Sequence, residues 1–306
     1  MDWLTRMNAA IAYVEENLHG EIDHNELARI ACCSAHNFFR IFSYMADASL
    51  AEYVRRRRLT LAAQALQNSD IKVVDVALKY GYDSPVSFAR AFQVMHGVTP
   101  TEARTDGVML KAYPRIAFQI SIKGEKEMDY RIESKEAFQL FGIERVYAAD
   151  EKAGERLDDH SILVDNADLW EECVANGTLE KLEKDAGDLP AFVSSHLGKI
   201  HSVCDYRETE GETYPSMLGA FRSANSKVDG YTVVDVPAHT WAIFPTGKLP
   251  HDEINDAVAT LYKRIFTEWL PTSNYEQVSN IDIELEGGDE KYAFGEVWLA
   301  VRKKSM

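Results

Sequence analysis

Apolar positions in the first hundred residues recur at helical spacing, and two stretches fifty positions apart carry the same pattern. Ser34 to Phe42 aligns with Ser84 to Phe92, and the match runs on to Met45 and Met95. In each copy a Ser precedes the helix as a cap, and positions i, i+4 and i+7 (Phe38/Phe42/Met45 and Phe88/Phe92/Met95) form an apolar stripe. Pro85 comes directly after its cap, where a helix tolerates proline best. Each copy is preceded by a short helical pattern, Glu26 to Ala31 and Val74 to Tyr80. Short helix, tight turn and second helix with a polar outer face make a helix-turn-helix, here twice.

The stretch between the copies, Ser49 to Asn68, reads as one helix opened by a capping box of Ser49 and Glu52. Leu50, Tyr53, Val54, Leu61, Ala65 and Leu66 supply most of its apolar face. Such a helix is about 30 Å long. Successive major-groove faces of B-DNA lie roughly 34 Å apart, so a rod of this length matches two adjacent groove segments. Thr99-Pro100-Thr101-Glu102 signals a last short helix through another capping box.

Beyond residue 106 the pattern changes from helical to mixed. Val108 to Tyr113 and Ile116 to Ile122 read as extended, and strand patterns appear at Tyr130 to Glu133 and Ala137 to Ile143. A helix is expected near Ala167 to Ala175, then strands at Ser202 to Tyr206 and Tyr214 to Ala220. The order then repeats. Strands at Tyr231 to Val236 and Thr240 to Phe244 precede a long helix from His251 to Trp269, with further strands at Ile281 to Leu285 and Phe294 to Val301. The expectation is an all-α double helix-turn-helix domain followed by an α+β domain of two pseudo-symmetric strand-helix-strand-strand units.

Residues 5 to 105 resemble the DNA-binding domain of the AraC/XylS transcription regulators. The marks are the paired motifs, the run Tyr53-Val54-Arg55-Arg56-Arg57-Arg58-Leu59, Ala77 to Ser84 leading into Phe88-Ala89-Arg90-Ala91-Phe92, and the closing Gly97-Val98-Thr99-Pro100. Cys32 stands in the first turn where Gly is frequent. The resemblance implies base-reading positions at Ala35, His36, Phe39 and Arg40, then at Pro85, Val86, Ser87, Ala89 and Arg90. Arg pairs bidentately with guanine, and apolar side chains meet the thymine methyl. An intramolecular salt bridge or a phosphate contact competes with base reading for Arg40 and Arg90, and extension of the core competes for Phe39. Arg55 to Arg58 cannot share one face of a helix, and Arg56 and Arg57 are taken as phosphate contacts.

From residue 128 to 304 the chain resembles the GyrI-like effector domain. This rests on the strand pairs beginning at Glu136 and Pro237, on Trp170 in the first helix, and on the closing Gly295-Glu296-Val297-Trp298-Leu299-Ala300-Val301. A reader placed ahead of such a domain is similar to the Rob type of regulator. The resemblance implies binding of a small, often aromatic or cationic, molecule between the two halves. Alternation along the last strand puts Phe294, Glu296 and Trp298 on one face, a carboxylate between two aromatics that suits an organic cation. The plainer alternative is an exposed Glu on a half-buried strand. Trp170, Trp241, Phe244 and Tyr292 are candidate pocket walls, each with a core role as its alternative.

The charge balance opposes DNA binding at first sight, with a net charge of −16. Residues 1 to 106 hold 11 basic and 13 acidic side chains, net −2, so the acidity belongs to the remainder. Phosphate contact needs local rather than global charge. Domain boundaries are expected as reader 1–106, linker 107–127 and effector domain 128–306. The four cysteines (Cys32, Cys33, Cys173, Cys204) lack metal-ligand spacing and read as reduced cytosolic thiols. No apolar run approaches a membrane span, and no signal pattern opens the chain. No cofactor, no membrane and no catalytic residue is expected, since no nucleophile elbow, zinc spacing or phosphate loop is present. The reading is a cytoplasmic transcription regulator that binds double-stranded DNA and a small effector, with RNA polymerase a further partner to test. The alternative is a GyrI-like domain acting as a small-molecule hydrolase or as a partner-protein module.

Overall fold

The computed structural model describes residues 3–119, 127–149, 166–210 and 212–304. By packing, the chain divides into two compact units: residues 1–32 with 48–119, and residues 33–47 with 120–306. The first unit therefore runs past the boundary expected near residue 106, and a short segment around the first recognition helix belongs to the second.

The first unit is helical. It comprises α1 (Trp3–Glu16), α2 (His24–Ala31), then, from its second stretch, a linking helix and the second helix-turn-helix; the intervening helix α3 (Ala35–Ala46) lies in the other unit. The linking helix α4 (Leu50–Asn68) is capped by Ser49, which accepts from the Glu52 amide at 3.2 Å. Helix α5 (Val73–Lys79) and helix α6 (Pro85–His96) come next, with the Ser84 hydroxyl accepting from Val86 at the start of α6. Leu59, Ala62, Leu66, Val76, Phe88 and Phe92 are buried together, so the apolar stripes of α4, α5 and α6 form one core. Gly81, in the turn between α5 and α6, has a φ of +78°, and a Cβ there would lie 2.9 Å from Arg58. The turn thus favours glycine for its left-handed backbone conformation.

At Thr99 the capping box forms as expected, with Glu102 accepting from the Thr99 amide at 2.7 Å, but the helix it opens is a single 3₁₀ turn, Glu102–Arg104. The extended segments expected at 108–113 and 116–119 join no strand; residues 120–122 lie outside the described residues. Side chains satisfy that backbone instead. Thr60 accepts from Tyr113, Tyr53 from Ile116, and Asn8 both accepts from and donates to Phe118. Helix α1 has no counterpart among the elements expected from sequence, although Met7, Ala10, Ile11 and Val14 give it a buried face.

Among the described residues, the second unit is built on one antiparallel sheet of eight strands. These are β1 (Arg131–Lys135), β2 (Phe138–Ala148), β3 (His201–Cys204), β4 (Thr213–Phe221), β5 (Thr232–Val236), β6 (His239–Pro245), β7 (Tyr275–Gly288) and β8 (Ala293–Lys303). Their order is β1-β6-β8-β7-β3-β4-β2-β5. Two half-sheets, β5-β2-β4-β3 and β7-β8-β6-β1, are joined through β7 and β3. Strand β2 corresponds to β6, and each is succeeded by helix and two strands, which is the repeat read from the sequence. One detail escapes that reading: β1 precedes β2 in the chain yet pairs with β6, while β5 precedes β6 yet pairs with β2. The halves exchange their edge strands.

Helices α7 (Ala167–Ala175) and α8 (Thr178–Asp185) pack on the first half, where Leu169, Cys173 and Leu182 meet Phe141 and Leu218. Helix α9 (Ile254–Arg264) packs on β8 and continues into a π-helical turn, Ile265–Trp269, so the expected long helix changes its hydrogen bonding near its end. The opposite core gathers Val203, Met217, Phe221, Trp241, Ile283 and Trp298. Gly142 faces Gly219 in the β2–β4 pairing, and a Cβ on Gly142 would lie 2.0 Å from the Leu218 carbonyl. Among the described residues no helix is long and apolar enough to cross a membrane.

Candidate nucleic-acid interface and effector cleft

Helix α6 presents its predicted reading face outward. Phe88, Phe92 and His96 turn inward, Pro85, Val86, Ser87 and Arg90 are exposed, and Ala89 is half-buried. Val86 is 78% exposed, an apolar side chain held in water at the first turn of the helix. Beside this face, a cleft of about 460 Å³ is lined by residues of α4, α6 and the following extended segment. Arg55, Arg56, Arg90 and Lys111 line it against a single carboxylate, Glu52. Arg56 pairs with Glu52 at 2.5 Å and lies over the Tyr113 ring at 4.8 Å, while Arg55 pairs with the same Glu52. These cations come from well-separated parts of the sequence, which is why Lys111 drew no attention there.

The four consecutive arginines divide by their place around α4. Arg57 is taken up inside the unit: it pairs with Glu15 at 2.8 Å and donates to the Tyr113 carbonyl at 2.6 Å, with only 11% of its side chain exposed. Tyr53 donates to the same Glu15 at 2.6 Å. Burial opposes the Glu15 charge, but hydrogen bonds from Arg57 and Tyr53 outweigh it and hold the carboxyl below its ordinary range. Arg58 donates to the Leu18 and Gly20 carbonyls. Arg57, expected as a phosphate contact, here spends its guanidinium on a carboxylate and a carbonyl within the unit. Arg56 keeps 37% of its side chain in solvent and remains placed for one.

The first recognition helix lies differently. In α3 every residue from His36 to Ser43 is buried, and only Ala35 of its expected readers is even partly accessible. Arg40 pairs with Asp282 on β7, lies 3.7 Å from Glu284, and sits over the Tyr262 ring at 4.7 Å. Tyr262 donates to Asp282 at 2.5 Å. The His36 ring stacks on Tyr214 of β4 with centroids 3.4 Å apart, and burial next to Arg40 holds it well below the ordinary histidine range. Glu284 is pushed up by burial and by the neighbouring Asp282. Ser34, which caps α3, also donates to Asp205 at 2.9 Å. In this conformation the side chains of His36, Phe39 and Arg40 are buried, and for Arg40 the intramolecular salt bridge is what forms. The sequence offered a salt bridge for Arg40 only as an alternative and could not name its partner, because Asp282 lies 242 positions away.

Of the residues named for the effector, the structure brings some together and separates the rest. Glu296 and Phe294 line a cleft of about 1250 Å³ bounded by β1, β8, the 191–196 segment and one side of α9. Glu296 is 3% exposed and accepts from Trp298 Nε1 and from Arg131 Nη2, each at 2.9 Å. Trp298 and Trp241 are fully buried beneath, with ring centroids 5.8 Å apart. Phe244 is buried against Trp269, and Tyr292 is not among the lining residues. Trp170 lies in the other half-sheet, where its Nε1 donates to Ser202 at 3.3 Å, so it belongs to that packing and not to this cleft.

Sequence reasoning also missed the cations that occupy the cleft. The Lys135 ammonium lies 5.3 Å from both the Phe192 and Trp298 ring centroids and donates to the Phe192 carbonyl at 3.2 Å. It also bonds Glu133, and that bond, opposed by partial burial and helped by Arg131, keeps the Glu133 carboxyl below its ordinary range. Six carboxylates (Glu127, Asp129, Glu133, Glu253, Asp256, Glu296) meet three cationic side chains (Arg131, Lys135, Arg264) around the wall, so the cleft favours positive charge.

Known proteins resemble both parts. A helix-turn-helix domain family matches residues 27–106, and the integron-associated effector binding protein family matches residues 131–301, more than half the chain. The chain belongs to the AraC-type regulators with an effector-binding domain of this integron-associated, GyrI-like kind. Within the AraC family, it is 34% identical over 91 residues to the transcriptional activator AarP of Providencia stuartii, covering 30% of this chain and 67% of AarP. It is 30% identical over 94 residues to the regulatory protein SoxS of Escherichia coli, 31% of this chain and 88% of SoxS. To the transcriptional regulator YbfP of Bacillus subtilis it is 36% identical over 95 residues, and the match spans only 32% of YbfP. The SAV2435 structure bound to tetraphenylphosphonium aligns with a TM-score of 0.43 at 16% identity, covering 57% of this chain and 94% of that one. These AraC-family relatives are named as regulators, and the fold has their helical reader followed by an α+β antiparallel sheet.

Proposed function

We propose that this protein is a cytoplasmic, sequence-specific DNA-binding transcription regulator whose C-terminal cleft binds a small organic cation of aromatic character. In this reading residues 1–106 are the reader, 107–127 the linker and 128–306 the effector domain. Helix α6 reads base edges through Val86, Ser87 and Arg90, while Arg56 and its neighbours in the basic cleft meet phosphate. With both helix-turn-helix units engaged, the protein spans two adjacent major-groove segments.

The observation that carries the effector reading is the chemistry already present around Glu296. A buried carboxylate and aromatic faces hold two of the protein's own cations there: Arg131 on Glu296, and Lys135 against Phe192 and Trp298. Carboxylate with aromatic faces is the chemistry that recognises an organic cation in a site shielded from water. A cationic ligand replaces one of these internal cations, and the carboxylate stays compensated throughout. Calorimetric titration of the full chain with a planar cationic dye and with an uncharged analogue of the same shape tests the reading. Preference for the cation supports it; equal or better binding of the neutral analogue rejects it.

A further inference from the structure

Helix α3 is packed as part of the second unit, and its contacts there are of the kind that hold a ligand. Arg40 reaches a slot made by Asp282, Glu284 and the Tyr262 ring. His36 stacks flat on Tyr214. Ser34 bonds Asp205, and Asp47 beyond the end of the helix pairs with Lys263 at 2.5 Å. Asp205 and Tyr214 belong to the first half of the pseudo-symmetric domain, whereas Tyr262, Lys263 and Asp282 belong to the second. One helix therefore ties the two halves together. The chain turns at both ends of α3 through non-glycine residues with left-handed backbone, Cys32 at φ 56° and Asp47 at φ 52°. They close helices α2 and α3, a place where a left-handed residue commonly ends a helix.

Resting on the DNA-binding reading above, we infer that the C-terminal domain holds α3 as a tethered internal ligand and thereby keeps the first helix-turn-helix off DNA, leaving α6 as the reader at hand. Arg40 is the centre of the restraint. The same guanidinium cannot occupy the Asp282 slot and a guanine edge at once, since both need its donor face. The amphipathic pattern of α3 serves either partner, and release transfers the helix from one to the other. Because α3 spans both halves, any ligand that changes the fit between them changes how firmly α3 is held. This gives the effector a route to DNA affinity by population shift.

The test uses the full chain and DNA sequences selected from a randomised pool. Asp282→Asn keeps the shape of the slot and an acceptor for Tyr262 but removes the carboxylate that pairs most closely with Arg40, leaving only Glu284 at 3.7 Å. The expected result is a hydroxyl-radical footprint that lengthens from one groove segment in wild type to two in the variant, with affinity higher by on the order of tenfold or more. Hydrogen exchange on the wild-type chain supplies a second measurement that no variant can compromise. Amides 36–43 should be protected without DNA, and exchange in β7 should quicken when a two-segment site is bound and α3 leaves Asp282. A wild-type footprint of two segments, with the same affinity as Asp282→Asn and unchanged exchange in β7, overturns the inference. Failure of both chains to select any sequence overturns the DNA-binding reading itself, and the inference with it.

Discussion

Arg131 and Glu296 meet across neighbouring parts of one sheet, the guanidinium at 2.9 Å from a carboxylate that is almost wholly shielded from water. Arg131 itself keeps 36% of its side chain exposed, so the pair has one fixed and one replaceable member. Its first consequence concerns ligand charge. Glu296→Gln should retain the fold, since shape and strand register are kept, and should weaken cation binding by about 1.5–3 kcal/mol, less what the amide restores. A neutral ligand of the same shape should bind nearly as before. Calorimetry on both proteins reads the difference, and equal cation affinity would return Glu296 to a purely structural role.

The replaceable member gives the opposite sign. Arg131→Met removes the internal competitor and should tighten cation binding by roughly five- to thirtyfold, about 1–2 kcal/mol. The same change leaves a buried carboxylate without its guanidinium and should lower the melting temperature of the empty protein. Melting curves with and without the dye measure both effects at once. A loss of cation affinity in Arg131→Met would mean that Arg131 helps to hold the ligand.

On the DNA side, Arg90→Ala should relax the preference at one base pair by about 1–3 kcal/mol, while Arg56→Ala should weaken all sequences together and flatten the salt dependence. Arg57→Ala should behave unlike either. It removes the partner of Glu15 inside the helical unit and should cost stability of about 3–5 kcal/mol. Competition binding against variant sites, at several salt concentrations, separates base reading from phosphate contact. Denaturant unfolding identifies the structural arginine. Unchanged base preferences in Arg90→Ala would remove it from the readers.

His201 gives the expected pH dependence. It is fully buried beside Phe221, and burial depresses its pKa to about 3. A folded-state pKa below the unfolded value near 6.5 means that the unfolded chain binds the proton more readily. Stability from this group is thus complete above pH 6.5 and declines as pH falls toward 3. Between pH 7.5 and pH 5 the loss should be about 2 kcal/mol. His201→Gln should show a shallower decline over the same window in denaturant melts. An equal slope in both proteins would assign the acid sensitivity to other groups, among them His36 and His96, which burial also depresses.

What the sequence by itself determined is local or periodic. Caps at Ser34, Ser49 and Ser84, the stripes through Phe38 and Phe88, the alternation around Glu296 and the repeat of strand, helix and two strands all depend on near neighbours, so they can be read along the chain. The tertiary structure alone decided which side chains meet across long separations. Arg57 became structural because Glu15, 42 residues earlier, comes to lie opposite it, while Arg56, one residue away and 100° round the helix, did not. Trp170 and Trp298 read alike as aromatic pocket walls, but the order of the half-sheets puts them in different cores. Lys135 and Arg131 entered the cleft only because the edge strand β1 crosses to the other half. Arg40 shows the same dependence most plainly: its pattern suits a base reader, and a carboxylate on a distant strand determines where its charge goes. Periodicity fixes which face of an element is apolar; packing decides what that face, and the charges beside it, will touch.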